Sequence, residues 1–406
     1  MKKNYLAMSA MAIGLLTFSA CSSDDDFGGE QTTTAKGEMQ DVELTFNIGV
    51  NSAKGTRGGR PLYSAEALQR VNDVDVYVFE KVGETDDYKY VKEINAGGDF
   101  GFKNTDANYD GEEDETHSYT LTEKLASGTY KFLAIGYEKD HANTYNALTL
   151  DATEGSETKL ADVVLTLKGT HADEVFSGVS NDVTVGTENQ SINVSIELKR
   201  VVAGVLGYFK NVPYELEHDG EMVTVKHVFV TAVKKGTSAT LADRKAKGVA
   251  SGDTRYNIID IVLTGSKSEN GNWYAKAATE ASDGTPATVA DAFLAGQFSL
   301  PIAAVDGQCT LQVVLTGDDT SVALRTYNVK QGSDTAFSLD ANSIYMIGHK
   351  STDDGTNGED GNDDGDEDKD PDDPDKDDDP VDLSKEQILS ITVLADWDGF
   401  YDLDLE

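Results

Sequence analysis

The sequence predicts an all-β chain folded as two tandem antiparallel sandwiches. Two patterns carry this expectation: short runs with apolar side chains at alternate positions, and clusters of Gly, Asn, Asp and Ser between the runs. The length of 406 residues adds that about two ordinary domains with real cores fit in the chain.

The elements follow in order. Val42, Leu44, Phe46, Ile48 and Val50 place five apolar side chains on one face of a strand at 42–50. Further strands are expected at 74–79, 118–122, 129–135 and 163–167, then at 192–198, 201–209, 225–233 and 258–263. A last group covers 309–315, 321–329 and 343–347, with a final strand at 388–397. Helical signals are few: a short turn around Ser64–Leu68 and the run Thr288–Leu294. Many strands at this spacing indicate sandwiches. A second series begins at 198–213 after the polar stretch 180–190, so the domain boundary is placed near 190, within about ten residues.

The amino terminus reads as an export signal. Lys2 and Lys3 precede an apolar stretch from Leu6 to Phe18, and the small residues Ser19 and Ala20 stand before Cys21. This is too short and wrongly flanked for a membrane-spanning helix. A cysteine directly after a small pair suggests a bacterial lipobox, in which Cys21 is acylated and becomes the first residue. Phe18 stands where the lipobox usually has Leu. Ser22-Ser23-Asp24-Asp25-Asp26 resembles the acidic tag of lipoproteins exported to the outer face of the outer membrane in Bacteroidetes.

Composition restricts the function. The net charge of −39 argues against nucleic acid, whose phosphates favour a basic face. There are two cysteines, and with Cys21 lipidated Cys309 stands alone, so no internal disulfide framework is expected. In CTLQVVL it reads as a small strand hydrophobe. The six histidines are scattered, and no HExxH pair, G-x-S-x-G elbow or phosphate-cradling glycine loop occurs. No enzyme activity and no cofactor are expected. Asp334-Thr335-Ala336 fits a short O-glycosylation pattern that is frequent by chance.

Residues 353–379 hold 16 Asp or Glu against two Lys, with Pro371 and Pro374, a net of −14. Such a segment cannot bury enough surface to fold alone and reads as a self-repelling tether. Asp360, Asn362 and Asp364 precede Gly365 as in the opening of a calcium loop, but Pro371 stands where its bidentate Glu belongs, so a solvated tether is the expected state.

Four features in order carry a family resemblance: the lipobox, a first strand followed by GTRGGRPLYS (55–64), the KRVVAGV segment, and a terminal pair of strands at 342–350 and 388–397. With them the chain resembles the fimbrillins of Bacteroidetes, FimA-type pilus subunits built from two transthyretin-like β-sandwiches. The resemblance implies a lipoprotein precursor held at the outer membrane by its lipid. It also implies cleavage by an arginine-specific protease after the first strand, and polymerisation with copies of itself and related fimbrial subunits. By the same resemblance, removing strand 42–50 is expected to open a groove that a neighbour's carboxy-terminal strand, presenting Leu389, Ile391, Val393, Ala395 and Trp397, would fill.

Two arginines stand in the loop. Arg57 precedes Gly58, whereas Arg60 precedes Pro61, whose ring blocks most trypsin-like cleavage, so Arg57 is the better site and Arg60 the alternative. The resulting segments are a signal peptide (1–20), a propeptide (21–57), sandwiches at 58–190 and 191–350, an acidic tether (351–387) and a donor segment (388–406). The competing expectation is a monomeric surface-anchored adhesin or glycan-binding lipoprotein. An anchor subunit, which keeps its lipid and first strand, is a third role, against which the GTRGGRP segment argues.

Since the thioether lipid has one attachment point, Cys21→Ala is expected to abolish incorporation of a fatty-acid probe. Unchanged labelling in that variant would overturn the lipobox assignment.

Overall fold

The computed structural model describes residues 39–50, 73–94, 116–137, 145–146, 157–169, 172, 174–188, 190–249, 256–276, 288–349 and 379–395. The chain up to Arg200 forms β1 (Met39–Val50), β2 (Asp73–Lys81), β3 (Tyr88–Ile94), β4 (Thr116–Ala126) and β5 (Gly128–Tyr137), followed by β6 (Tyr145–Asn146), β7 (Val164–Leu167), β8 (Val175–Val179), β9 (Val183–Val185) and β10 (Gln190–Arg200). Beyond it come β11 (Ala203–Lys210), β12 (Glu215–His218), β13 (Glu221–Thr224), β14 (His227–Ala232), β15 (Gly236–Thr240), β16 (Ala246–Val249) and β17 (Tyr256–Val262). The last six are β18 (Ala292–Ser299), β19 (Leu311–Thr316), β20 (Ala323–Lys330), β21 (Ser343–Ile347), β22 (Val381–Asp382) and β23 (Leu389–Ala395). The one helical element among the described residues is a single 3-10 turn, Leu160–Asp162. The protein is all-β, as its alternating pattern requires.

Two large sheets organise these strands. The first runs β3-β2-β5-β8-β10-β1-β4, with β9 on β5; the second runs β17-β14-β19-β20-β23-β21-β11-β18, with β22 on β11. The first sheet curls until its two ends meet: Lys92 on β3 pairs with Glu123 on β4 and donates to the Lys124 carbonyl at 3.2 Å. Each sheet wraps a core, one around Val42, Phe46, Val76, Phe132 and Leu198, the other around Val205, Val228, Trp273, Val313 and Tyr327.

A third core joins the halves, packing Phe79, Leu133 and Val175 against Val201, Val202, Leu206 and Met346. A smaller sheet, β16-β15-β7-β6, also takes strands from both halves. At the changeover stands Arg200, 1% exposed, ion-paired with buried Glu174 and lying 5.1 Å over the Phe176 ring. A buried guanidinium is tolerated only when paired in this way.

Several expectations need correction. β10, expected in the second series, pairs with β1 and β8 in the first sheet, and its Val194, Ile196 and Leu198 share a core with β1. Thr288–Leu294 is not helical: Asp291, at φ +59°, accepts a hydrogen bond from the Ala275 amide and turns the chain into β18. The polar stretch 180–190 contains β9. The stretch 379–387 is docked and is no tether: Leu383 is fully buried and its amide donates to the Lys210 carbonyl at 3.0 Å.

Candidate functional site

The two terminal strands of the described chain both occupy interior places in a sheet. β1 runs parallel to β10, from Val42 opposite Gln190 to Val50 opposite Leu198, and antiparallel to β4, from Met39 opposite Ala126 to Gly49 opposite Thr116. β4 joins the first sheet through β1. Lifting β1 out would therefore leave a slot with two open hydrogen-bonding edges, β10 on one side and β4 on the other.

Alternation fixes the side chains in that slot. Val42, Leu44 and Phe46 are 0% exposed and Ile48 is 1% exposed, and Phe46 meets Phe132 edge-on with ring centres 5.3 Å apart. On the outer face Thr45 and Thr120 share a hydroxyl hydrogen bond of 2.9 Å, and Ser191 donates to Glu43 at 2.9 Å. Burial of each such Val, Leu, Ile or Phe stabilises by about 1.5–3 kcal/mol. A one-residue slip would turn all four outward, so the register is fixed by burial.

β23 sits in a comparable place in the second sheet. It is antiparallel to β21, from Ser343 opposite Ala395 to Ile347 opposite Ile391, and parallel to β20 at Val329–Leu389 and Lys330–Ser390. Leu389 and Ile391 are buried, and Val393 packs against the same core. The strand expected to serve a neighbour is thus seated in its own chain. Its approach is fastened by Leu383, whose carbonyl accepts the Tyr327 hydroxyl; burial raises that tyrosine's pKa and keeps it a donor. Upstream, His349 and Asp379 bond reciprocally through their backbones at 3.0 and 2.8 Å, so the acidic segment leaves and returns at adjacent points.

Cys21, Arg57, Gly58, Arg60, Trp397 and the calcium candidates Asp360, Asn362 and Asp364 lie outside the described residues, as does the side chain of Val50. Cys309 is half-buried with its thiol donating to the Leu311 carbonyl at 2.9 Å, and burial raises its pKa. Among the described residues no group of three or more His, Cys, Asp and Glu could hold a metal ion. Sequence reading missed the walls of the slots. Nothing in the residues of β10 or β4 marks either strand as a neighbour of β1.

The profile of the family described as fimbrillin-A associated anchor proteins Mfa1 and Mfa2 matches residues 34–267. No curated protein sequence matches the chain. Among solved structures, the fimbrial anchor protein Mfa2 from Porphyromonas gingivalis is 15% identical, with 77% of this chain and 91% of that chain covered and a TM-score of 0.38. A fimbrial assembly protein from Parabacteroides distasonis is 15% identical, covering 77% and 92%, with a TM-score of 0.34. The tip fimbrial protein Mfa3 from P. gingivalis, with a carboxy-terminal truncation, is 10% identical, covering 75% and 93%, with a TM-score of 0.35.

Emptying the Phe46 position removes a fully buried ring. Phe46→Ala in the precursor is expected to lower stability by about 3–5 kcal/mol, read as a lower denaturant midpoint at unchanged slope. A change under 1 kcal/mol would contradict the seating of β1.

Proposed function

Since the chain belongs to the family of fimbrillin-A associated anchor proteins Mfa1 and Mfa2, we propose that it is a structural subunit of a cell-surface fimbrium, exported as a lipoprotein precursor and assembled by exchange of its terminal strands. One observation carries the reading: β1 is an interior strand, fully buried on one face, that links β4 to the rest of its sheet. Cleavage after Arg57 would release it and open the slot. An incoming strand then meets β10 and β4 as β1 did, with main-chain bonds giving affinity and alternate side chains giving register.

β23 has the chemistry to fill it. Leu389, Ile391, Val393 and Ala395 repeat the spacing of Val42, Leu44, Phe46 and Ile48, and its outward residues Ser390 and Thr392 are exposed as the slot's outer face requires. Both strands also lie between one parallel and one antiparallel neighbour. Donation would empty the place β23 holds in its own second sheet, so self-seating is the resting state of the subunit in this reading.

The family's description favours a second reading, an anchor that retains β1 and its lipid. The two differ at one bond. A stalk or accessory subunit recovered from sheared surfaces begins at Gly58, and Arg57→Ala leaves lipidated precursor without fibres; mass spectrometry finding the shed wild-type chain still beginning at Cys21 would favour the anchor.

Exchange itself has a direct test. If Leu389 takes the place of Val42, Thr392 takes that of Thr45 and faces Thr120. The pair Thr392→Cys and Thr120→Cys is expected to form disulfide-linked multimers on non-reducing gels once β1 is removed. Monomers under those conditions, with fibres still present, would eliminate β23 as the donor.

A further inference from the structure

We infer that when β23 leaves its own sheet the residues just before it, 379–383, stay docked, so that donation is the swing of one strand about the linker 384–388. The inference rests on the proposed exchange and adds to it where the moving part begins. Pro380 and Leu383 are buried, and Val381 packs against the core of the second sheet. β22 pairs in parallel with β11, Val381 opposite Phe209 and Asp382 opposite Lys210. The Leu383 amide donates to the Lys210 carbonyl at 3.0 Å, its carbonyl accepts the Tyr327 hydroxyl, and the Asn211 side chain donates to the Asp382 carboxylate at 3.0 Å.

The linker has the opposite character. All five residues from Ser384 to Ile388 are exposed, between buried Leu383 and buried Leu389. Hydrogen bonds tie it back to the anchor and to Arg325: the Ser384 amide donates to the Asp382 carboxylate at 2.8 Å, the Gln387 side chain donates to the Asp382 carbonyl, and Arg325 donates to the Ser384 carbonyl at 3.4 Å. A short exposed stretch between two buried points is where a chain can absorb a large backbone rotation.

The slot left by β1 has no place for the anchor. With Leu389 where Val42 was, Glu386 takes the place of Met39, and Leu383 falls three residues ahead of the first position of β1. Undocking 379–383 would expose Leu383 and take the acceptor from the buried Tyr327 hydroxyl, losses that pairing in the slot does not offset. Staying docked limits the reach of the strand instead. The six Cα steps from Leu383 to Leu389 span at most about 22 Å. A neighbour's slot must therefore open within that distance of the anchor, and the linker sets the spacing of successive subunits.

The test pins each piece in turn with a disulfide in the full-length precursor, in which Cys21→Ser and Cys309→Ser remove the native thiols. Lys210→Cys with Asp382→Cys fastens β22 to β11, and Lys330→Cys with Ser390→Cys fastens β23 to β20; each pair are ladder partners outside the buried core. Oxidised and reduced samples are cut with an arginine-specific protease, and fibres are followed by electron microscopy. The first pin is expected to leave fibre formation intact, and the second to abolish it until reductant is added. Fibres lost on oxidising the first pair and regained on reduction would overturn the inference, since undocking would then be required. Fibres that persist with the second pair oxidised would remove β23 as the donor, and the inference with it. In wild-type fibres, amide exchange across 380–384 is expected to be as slow as in the precursor. Fast exchange there would also overturn the docked anchor, independently of any variant.

Discussion

An interior strand cannot leave a sheet without exposing two rows of unpaired amides and carbonyls, and this constraint governs the whole molecule. Buried backbone polar groups are costly to leave unpaired, and open edges invite another strand. The protein places a terminal strand in the interior of each large sheet: β1 between β10 and β4, β23 between β20 and β21. Each sheet therefore holds, in its interior, the first or the last strand of the described chain.

The two places are not isolated from one another. β10, which pairs with β1, runs through Val201 and Val202 into β11, which pairs with β21, the neighbour of β23. At that joint the Arg200 amide donates to the Asn342 side chain at 3.3 Å, while the Asn342 amide donates to the Val202 carbonyl at 2.9 Å. The KRVVAGV segment is thus the shared spine of both sheets. Its six buried residues from Arg200 to Val205 explain why so apolar a run follows a basic pair.

Much of the fold is legible in the residues because burial on one face writes a period of two. Strands β1, β5, β10 and β21 follow that signal closely. What stayed hidden has local causes. β6 and β22 are two residues long, shorter than any periodicity. At 289–294 the apolar residues Val289, Ala290, Phe293 and Leu294 mimic helical spacing, and only the left-handed Asp291 breaks it. Leu383 is a lone apolar residue beyond an acidic run, and its burial depends on a gap beside Tyr327 that no local pattern announces. Of the candidate site, the strands were legible and their neighbours were not, because strand order is a long-range property. Parallel pairing of β1 with β10 joins residues about 150 apart in sequence.

The ladders of the two terminal strands differ in a way that bears on the order of events in the proposed assembly. β1 is bonded along nearly its full length on both sides and buries four side chains almost completely. β23 is bonded to β21 through five residues but to β20 through two, and among its described side chains Leu389 and Ile391 are buried and Val393 partly so. Spontaneous departure of β1 would expose more apolar surface and break more main-chain bonds than departure of β23. By this comparison β23, with the shorter ladder, is the easier of the two strands to release. In the proposed assembly the subunit would stay closed while its first strand is attached, and β23 would be the strand that moves once a neighbour offers the longer, two-sided slot.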